Sequence, residues 1–139
     1  MDFLSTSTAP PTTTKVSFVE NNFKKNNPLE KRKDDADRVL TRYRDRVPVI
    51  VEYQNNYQSE KLFKILDRQK YLVPRELSVA QFMYVIRRRC KVNETKAIFM
   101  FFNNTLELPG NLMGPIYDKH HDTEDNFLYA IVGAESTFG

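Results

Sequence analysis

Four positions carry side chains or termini that could do chemistry. His120 and His121 stand together between Asp118 and Asp122. Imidazole and carboxylate are zinc ligands, and together they also make a general acid–base pair. Adjacent side chains on a polar turn point apart, however, and no further ligand cluster lies at metal-binding spacing, so the stretch reads as a surface loop. Cys90 is the one cysteine. A thiolate nucleophile needs an electropositive, partly exposed setting, whereas Cys90 shares a helical face with Phe82, Val85 and Ile86, the setting of a core cysteine. One cysteine also excludes an internal disulfide and a cysteine-cluster zinc site. No Gly-rich phosphate loop occurs. The expectation is a chain with no cofactor, no metal and no catalysis of its own. The fourth position is Gly139, the last residue. A terminal carboxylate on a residue without a side chain can enter a narrow active site and be attacked without obstruction. Glycine is about one residue in fourteen by usage alone, so its meaning here depends on what precedes it.

The chain has 139 residues, 40% of them hydrophobic and 28% charged. That is the composition of one soluble globular domain with a single core. No apolar run approaches the roughly 20 residues of a membrane-spanning helix, so membrane contact is expected to be peripheral or covalent. The first residues lack the pattern of a signal peptide, and Met1-Asp2 does not fit the myristoylation motif. Net charge is +3, but it is unevenly spread. Residues 15–46 hold ten Lys and Arg against six Asp and Glu, and residues 118–139 hold one against five. Such polarity steers partners. Without a nucleic-acid reading motif, no nucleic acid is expected as a partner.

Local patterns place the elements. Residues 1–14 are rich in Ser, Thr and Pro and read as part of a flexible leader, 1–22. The polar stretch that follows predicts a short helix around Val16–Phe23. A second helix starts at Pro28, which suits a first turn; Ala36, Val39, Leu40, Tyr43 and Val47 recur along it as one apolar stripe. Val47–Tyr53 is a β-branched strand. Gln54–Gln69 is a long connection, helix or hairpin loop, with apolar content at Leu62, Phe63, Ile65 and Leu66. Lys70–Val73 is a short strand stopped by Pro74. Ser78 and Gln81 form a capping box opening a helix that ends in Arg87, Arg88 and Arg89. Ala97–Phe102 suits a strand buried on both faces, and Leu106–Leu108 a strand pairing back on it. Asn111–Tyr117 predicts a short helix capped by Asn111, and Phe127–Val132 the last strand. Strands first, a crossing helix, then more strands make an α+β roll.

Four segments are recognisable together: EKRKDDADRVLTRYRDRVPVIVE (30–52), KYLVPRELSVAQFMYVIRRR (70–89), AIFMFFNNTL (97–106) and FLYAIVGAESTFG (127–139). From about Phe23 to Gly139 the chain closely resembles the GABARAP and microtubule-associated light-chain-three family of autophagy modifiers, which includes a fungal founding member. The resemblance implies a ubiquitin-like β-grasp roll with two additional N-terminal helices, spanning 23–139 and ending in a conjugation tail. It also implies a sequence of partners. A processing cysteine protease trims any extension, activating and conjugating enzymes carry the Gly139 carboxylate as a thioester, and the acceptor is the amine of phosphatidylethanolamine. The family's localisation is cytoplasmic, then autophagosome membrane, cytoplasmic vesicle and vacuole or lysosome after conjugation. Its N-terminal helices are linked to membrane tethering and to tubulin.

Family members also bind cargo receptors and autophagy factors bearing aromatic-x-x-aliphatic motifs, which add as a strand to a sheet edge. By position the edge strand is Lys70–Val73. The aromatic pocket corresponds to Asp35, Val39, Pro48, Ile50, Lys70, Leu72 and Phe127, and the aliphatic pocket to Tyr71, Val73, Pro74, Leu77, Phe82, Val85 and Ile86. Arg46, Lys70 and Arg89 are placed to meet acidic flanks. By periodicity alone, Val39, Ile50, Phe82, Val85, Ile86 and Phe127 are core residues; Tyr71, Pro74 and Lys70 are expected to be exposed on the short edge strand. Two features depart from the family. The Gln54–Gln69 connection is about four residues longer and more apolar, which adds a contact or alters access to the aromatic pocket, and the leader before Phe23 is longer. The competing reading keeps the fold and pockets but makes the chain a non-conjugated adaptor in vesicle trafficking.

Overall fold

Residues 47–52 of the first strand are buried without interruption, and such a strand needs cover on both faces and both edges. The computed structural model, which describes residues 22–64, 66 and 70–134, supplies it. Strand β1 (Arg46–Tyr53) lies between β2 (Lys70–Pro74) and β5 (Leu128–Gly133). The β2 pairing is antiparallel and the β5 pairing parallel. Beyond β5 come β3 (Phe99–Phe102) and the two-residue β4 (Thr105–Leu106), completing a five-stranded sheet in the order β2-β1-β5-β3-β4.

Alternation along each strand sorts side chains to two faces. Val47, Val49 and Val51 of β1, Tyr71 and Val73 of β2, and Leu128, Ala130 and Val132 of β5 join the larger core. Helix α4 (Val79–Arg89) covers this face with Phe82 and Ile86, and α5 (Met113–His120) adds Met113, Ile116 and Tyr117. Ile50 and Phe127 turn to the other face, where α2 (Leu29–Arg42) lays Ala36 and Val39 against them. The short α1 (Asn22–Asn26) adds Phe23, whose ring meets Phe127 edge-on at 5.4 Å.

Helix α4 starts as its sequence requires. The Ser78 hydroxyl accepts from the Gln81 amide, and the Gln81 side chain accepts from the Ser78 amide. The connection after β1 contains a helix, α3 (Tyr57–Phe63), capped by Asn56, whose side chain accepts from the Ser59 amide. Phe63 and Leu66 anchor it in the larger core.

Several expectations need correcting. Helix α2 stops at Arg42, so Val47 belongs to β1 rather than to the helical stripe. Strand β3 begins at Phe99, two residues later than the apolar run. Asn111 does not cap α5: its side-chain amide donates to Glu107, and Leu112 occupies the cap position without a side-chain bond. Val85 is 42% exposed, because it stands one position beyond the face that Phe82 and Ile86 present to the sheet. The expected Val16–Phe23 helix and the 1–22 leader lie outside the described residues, except that Asn22 and Phe23 open α1.

Helix α2 is tied down by charge as well as by packing. Arg32 is buried and donates to Asp125, which is fully buried and also accepts from the Tyr129 hydroxyl and the Phe127 amide. Burial pulls the Arg32 guanidinium down, but its bonds to Asp125 and Tyr129 outweigh this and raise it. Burial and then Asp125 push the Tyr129 phenol far above its usual range. Removing one partner of such a cluster strands the others without water. Asp125→Ala should therefore cost about 3–5 kcal/mol, read as a lower urea midpoint, while Asp34→Ala, which breaks only an exposed pair with Arg38, should cost under about 0.5 kcal/mol.

Candidate functional site

The edge of the sheet at β2 is where the predicted binding residues meet. Among the described residues β2 is the outermost strand of the sheet on this side, and a sheet edge is where a further strand can add. On the α2 face, Val39, Ile50 and Phe127 form the floor of one cluster with Leu72 packed against it. Leu72 stands opposite Pro48, and Lys70 opposite Ile50. The Lys70 ammonium is 3.6 Å from the Asp35 carboxylate, which also lies 3.7 Å from Arg38. All seven residues of the predicted aromatic pocket thus belong to one face and one corner of the sheet.

The other set lies on the opposite face. Tyr71 and Val73 point towards α4, with Phe82 and Ile86 beneath them and Leu77 at the margin. The Tyr71 ring meets Phe82 edge-on at 5.8 Å, and the Arg89 guanidinium lies 6.0 Å from the Tyr71 ring. Pro74 and Val85 are exposed at the rim. Arg46, at the far end of the β1–β2 ladder, stacks its guanidinium 5.8 Å from the Tyr43 ring.

The expectation of an exposed Tyr71 and Lys70 does not hold. Tyr71 is only 6% exposed, because odd positions of β2 face α4, and Lys70 is half-buried beside Asp35. Pro74 alone of the three is exposed. Phe23, which the sequence does not single out, is a neighbour of the site: it packs on Phe127 and Tyr129, and its backbone N–H donates to the buried Glu52 carboxylate. The available signal was its being the one aromatic among the polar residues 20–27. Lys24 beside it donates to Asp122 and lies over the Tyr129 ring, holding α1 against the sheet. Helix α3 reaches the larger core through Phe63 and so sits apart from the α2-face cluster.

The residues suggestive of catalysis are dispersed. His120 ends α5 with its side chain only 7% exposed and pairs with Glu107, rather than lying in a surface turn. His121 stacks on Tyr117 and bonds its carbonyl, Asp118 pairs with Arg75, and Asp122 with Lys24. Cys90 is buried at the end of α4, and burial pushes its thiol up to about 11, Arg89 opposing only in part. Gly139 lies outside the described residues.

A mixed five-stranded sheet crossed by a helix, with two helices added at the N-terminus, defines a ubiquitin-like protein of the α+β class. Residues 31–139 match the family model described as autophagy protein Atg8 ubiquitin like. The chain is 47% identical to autophagy-related protein 8a of Arabidopsis thaliana over 122 residues, covering 88% of this chain and 96% of that protein. It is 46% identical to autophagy-related protein 8 of Scheffersomyces stipitis, covering 87% and 84%. The crystal structure of Trypanosoma brucei ATG8 superposes with a TM-score of 0.75 at 36% identity, covering 87% of this chain and all of that one. The chain belongs to the Atg8 family of autophagy ubiquitin-like proteins.

A buried thiol held protonated is a poor nucleophile. Cys90 should therefore resist iodoacetamide at neutral pH in the native protein and react fully once urea unfolds it, as read from the intact mass.

Proposed function

We propose that this chain is a ubiquitin-like modifier, not an enzyme, joined through Gly139 to phosphatidylethanolamine on autophagosomal membranes, where its sheet edge gathers partners carrying aromatic-x-x-aliphatic motifs. The observation that carries the binding half is the placement of two apolar clusters on opposite faces of the outermost strand among the described residues. Side chains of an extended peptide alternate faces at every residue. Two anchors three positions apart therefore point to opposite sides, about 10 Å apart along the strand. A peptide paired with β2 sends its aromatic ring over Leu72 towards Val39, Ile50 and Phe127, and its aliphatic residue past Tyr71 and Val73 towards Phe82 and Ile86. Arg46, Lys70 and Arg89 ring this edge with positive charge and favour acidic residues flanking the motif.

The conjugation half is supported by family membership and by the identity of Gly139. No helix among the described residues is long and apolar enough to cross a membrane, so covalent lipid would supply the attachment. In this reading 23–139 is the working domain and 1–22 its leader, and the partners are the processing protease, the activating and conjugating enzymes, cargo receptors and autophagy factors. Copies crowded on one membrane would turn modest single affinities into avid capture.

Two measurements test the two halves. Peptides with an acidic flank and the spacing aromatic-x-x-aliphatic should bind with about micromolar Kd, and inserting one residue between the anchors should weaken binding at least about tenfold, because both anchors then face the same side; equal affinity would refute edge-strand docking. In starved cells the C-terminal peptide from the membrane fraction should carry the added mass of phosphatidylethanolamine on Gly139, and Gly139→Ala should abolish it. A free carboxylate throughout, in cells whose own family members are lipidated, would leave an unconjugated adaptor.

A further inference from the structure

Strand β5 ends at Gly133, and the residue after it is held by a buried polar knot. The Ala134 amide donates to the Ser59 hydroxyl at 3.0 Å. Ser59 is fully buried in the first turn of α3 and directs its own proton to the Gln54 side-chain oxygen at 3.4 Å. Gln54 is fully buried as well, and its backbone N–H donates to the Val132 carbonyl at 2.9 Å, continuing the β1–β5 alignment past Tyr53. The hydroxyl thus works as donor and acceptor together. Gly133 is required by the closeness of this packing: a Cβ there would come within 1.8 Å of the Gln54 oxygen and 2.8 Å of its Cγ.

Gly139 is five residues beyond Ala134. Whatever path they take, five residues span at most about 18 Å. An enzyme that closes over the Gly139 carboxylate is therefore brought close to α3. The outer face of that helix carries Tyr57, 77% exposed, beside Glu60, Lys61 and Lys64.

We propose that Ser59 is a positioning residue for conjugation: by holding Ala134 it fixes the point from which the last residues, ending in Gly139, leave the sheet. The proposal rests on the conjugation reading above. It acts through Ala134 and touches no reacting atom. A tail with a fixed root loses less conformational freedom when an enzyme captures it, so the effect belongs in KM and not in kcat.

The test uses the full chain, ATP and the activating enzyme of Arabidopsis thaliana, whose modifiers this chain resembles. Ser59→Ala should raise the KM for thioester formation about threefold to tenfold, the reach of one hydrogen bond. It should leave kcat within about twofold and motif-peptide affinity unchanged, and hydrogen exchange at the Ala134 amide should speed up. An unchanged KM despite faster exchange at Ala134 would overturn the proposal. So would unchanged exchange, or a joint loss of kcat and peptide affinity, which would make Ser59 merely structural. A wild-type chain that forms no thioester at all would overturn the conjugation reading itself, a result distinguishable from failure of the variant alone.

Discussion

Desolvation of β1 organises this molecule. Six successive residues, 47–52, are buried, and a strand can give up water along its whole length only where its peptide groups are paired on both edges and its side chains covered on both faces. Strands β2 and β5 satisfy the edges, while α2 and α4 cover the faces. The period of two along β1 then divides everything else. Val47, Val49 and Val51 commit one face to α4 and α5, and Ile50 commits the other to α2. A register slip of one residue would exchange the faces and destroy both cores. The two candidate pockets inherit their opposition from this division, since β2 pairs with β1 in the register Val47↔Val73 to Ile50↔Lys70.

Beside the smaller apolar core, buried polar groups tie α2 and α1 to the sheet. Asp125 gathers Arg32, Tyr129 and its own chain's Phe127 amide at the root of β5. Glu52 receives the Phe23 amide from α1. Both carboxylates are buried, and such groups are tolerated only when hydrogen-bonded. Their partners therefore fix the approach of the N-terminal helices to within hydrogen-bond tolerance, which a greasy contact would not do. The cluster of Val39, Ile50 and Phe127 owes its shape to that fixed approach. At the opposite end of the β1–β5 pair, Gln54 and Ser59 do the same for the exit of the chain. Buried polar groups thus close both ends of the central parallel pair: Asp125 before β5 holds α2, while Glu52, Gln54 and Ser59 at the other end hold α1 and Ala134.

Much of this was legible in the amino-acid order. The β-branched run of residues 47–53, the unbroken apolar run before Asn103, the capping box at Ser78 and the apolar stripe of α2 are local signals, and local backbone preferences suffice to write them into elements. The four recognisable segments named the family because each is long and specific. The sequence by itself also determined that Cys90 is a core thiol, since its apolar helical neighbours predict the burial that keeps it protonated.

Tertiary structure alone decided which groups meet. Tyr71 looks exposed on a short edge strand, yet the α4 layer lies over it. Asn111 has the side chain of a cap, but Glu107, four residues earlier, takes its amide instead. His120 reads as a loop residue until α5 carries it against Glu107. Phe23 joins residues more than a hundred positions away, and Ser59 meets Ala134 across a separation of 75. Apart from the four-residue spacing of Asn111 and Glu107, none of these pairings has a period, a spacing or a composition to betray it. Each depends on how two elements are oriented once both faces of β1 are covered, and that orientation is set by the packing of the whole sheet rather than by any local stretch of chain.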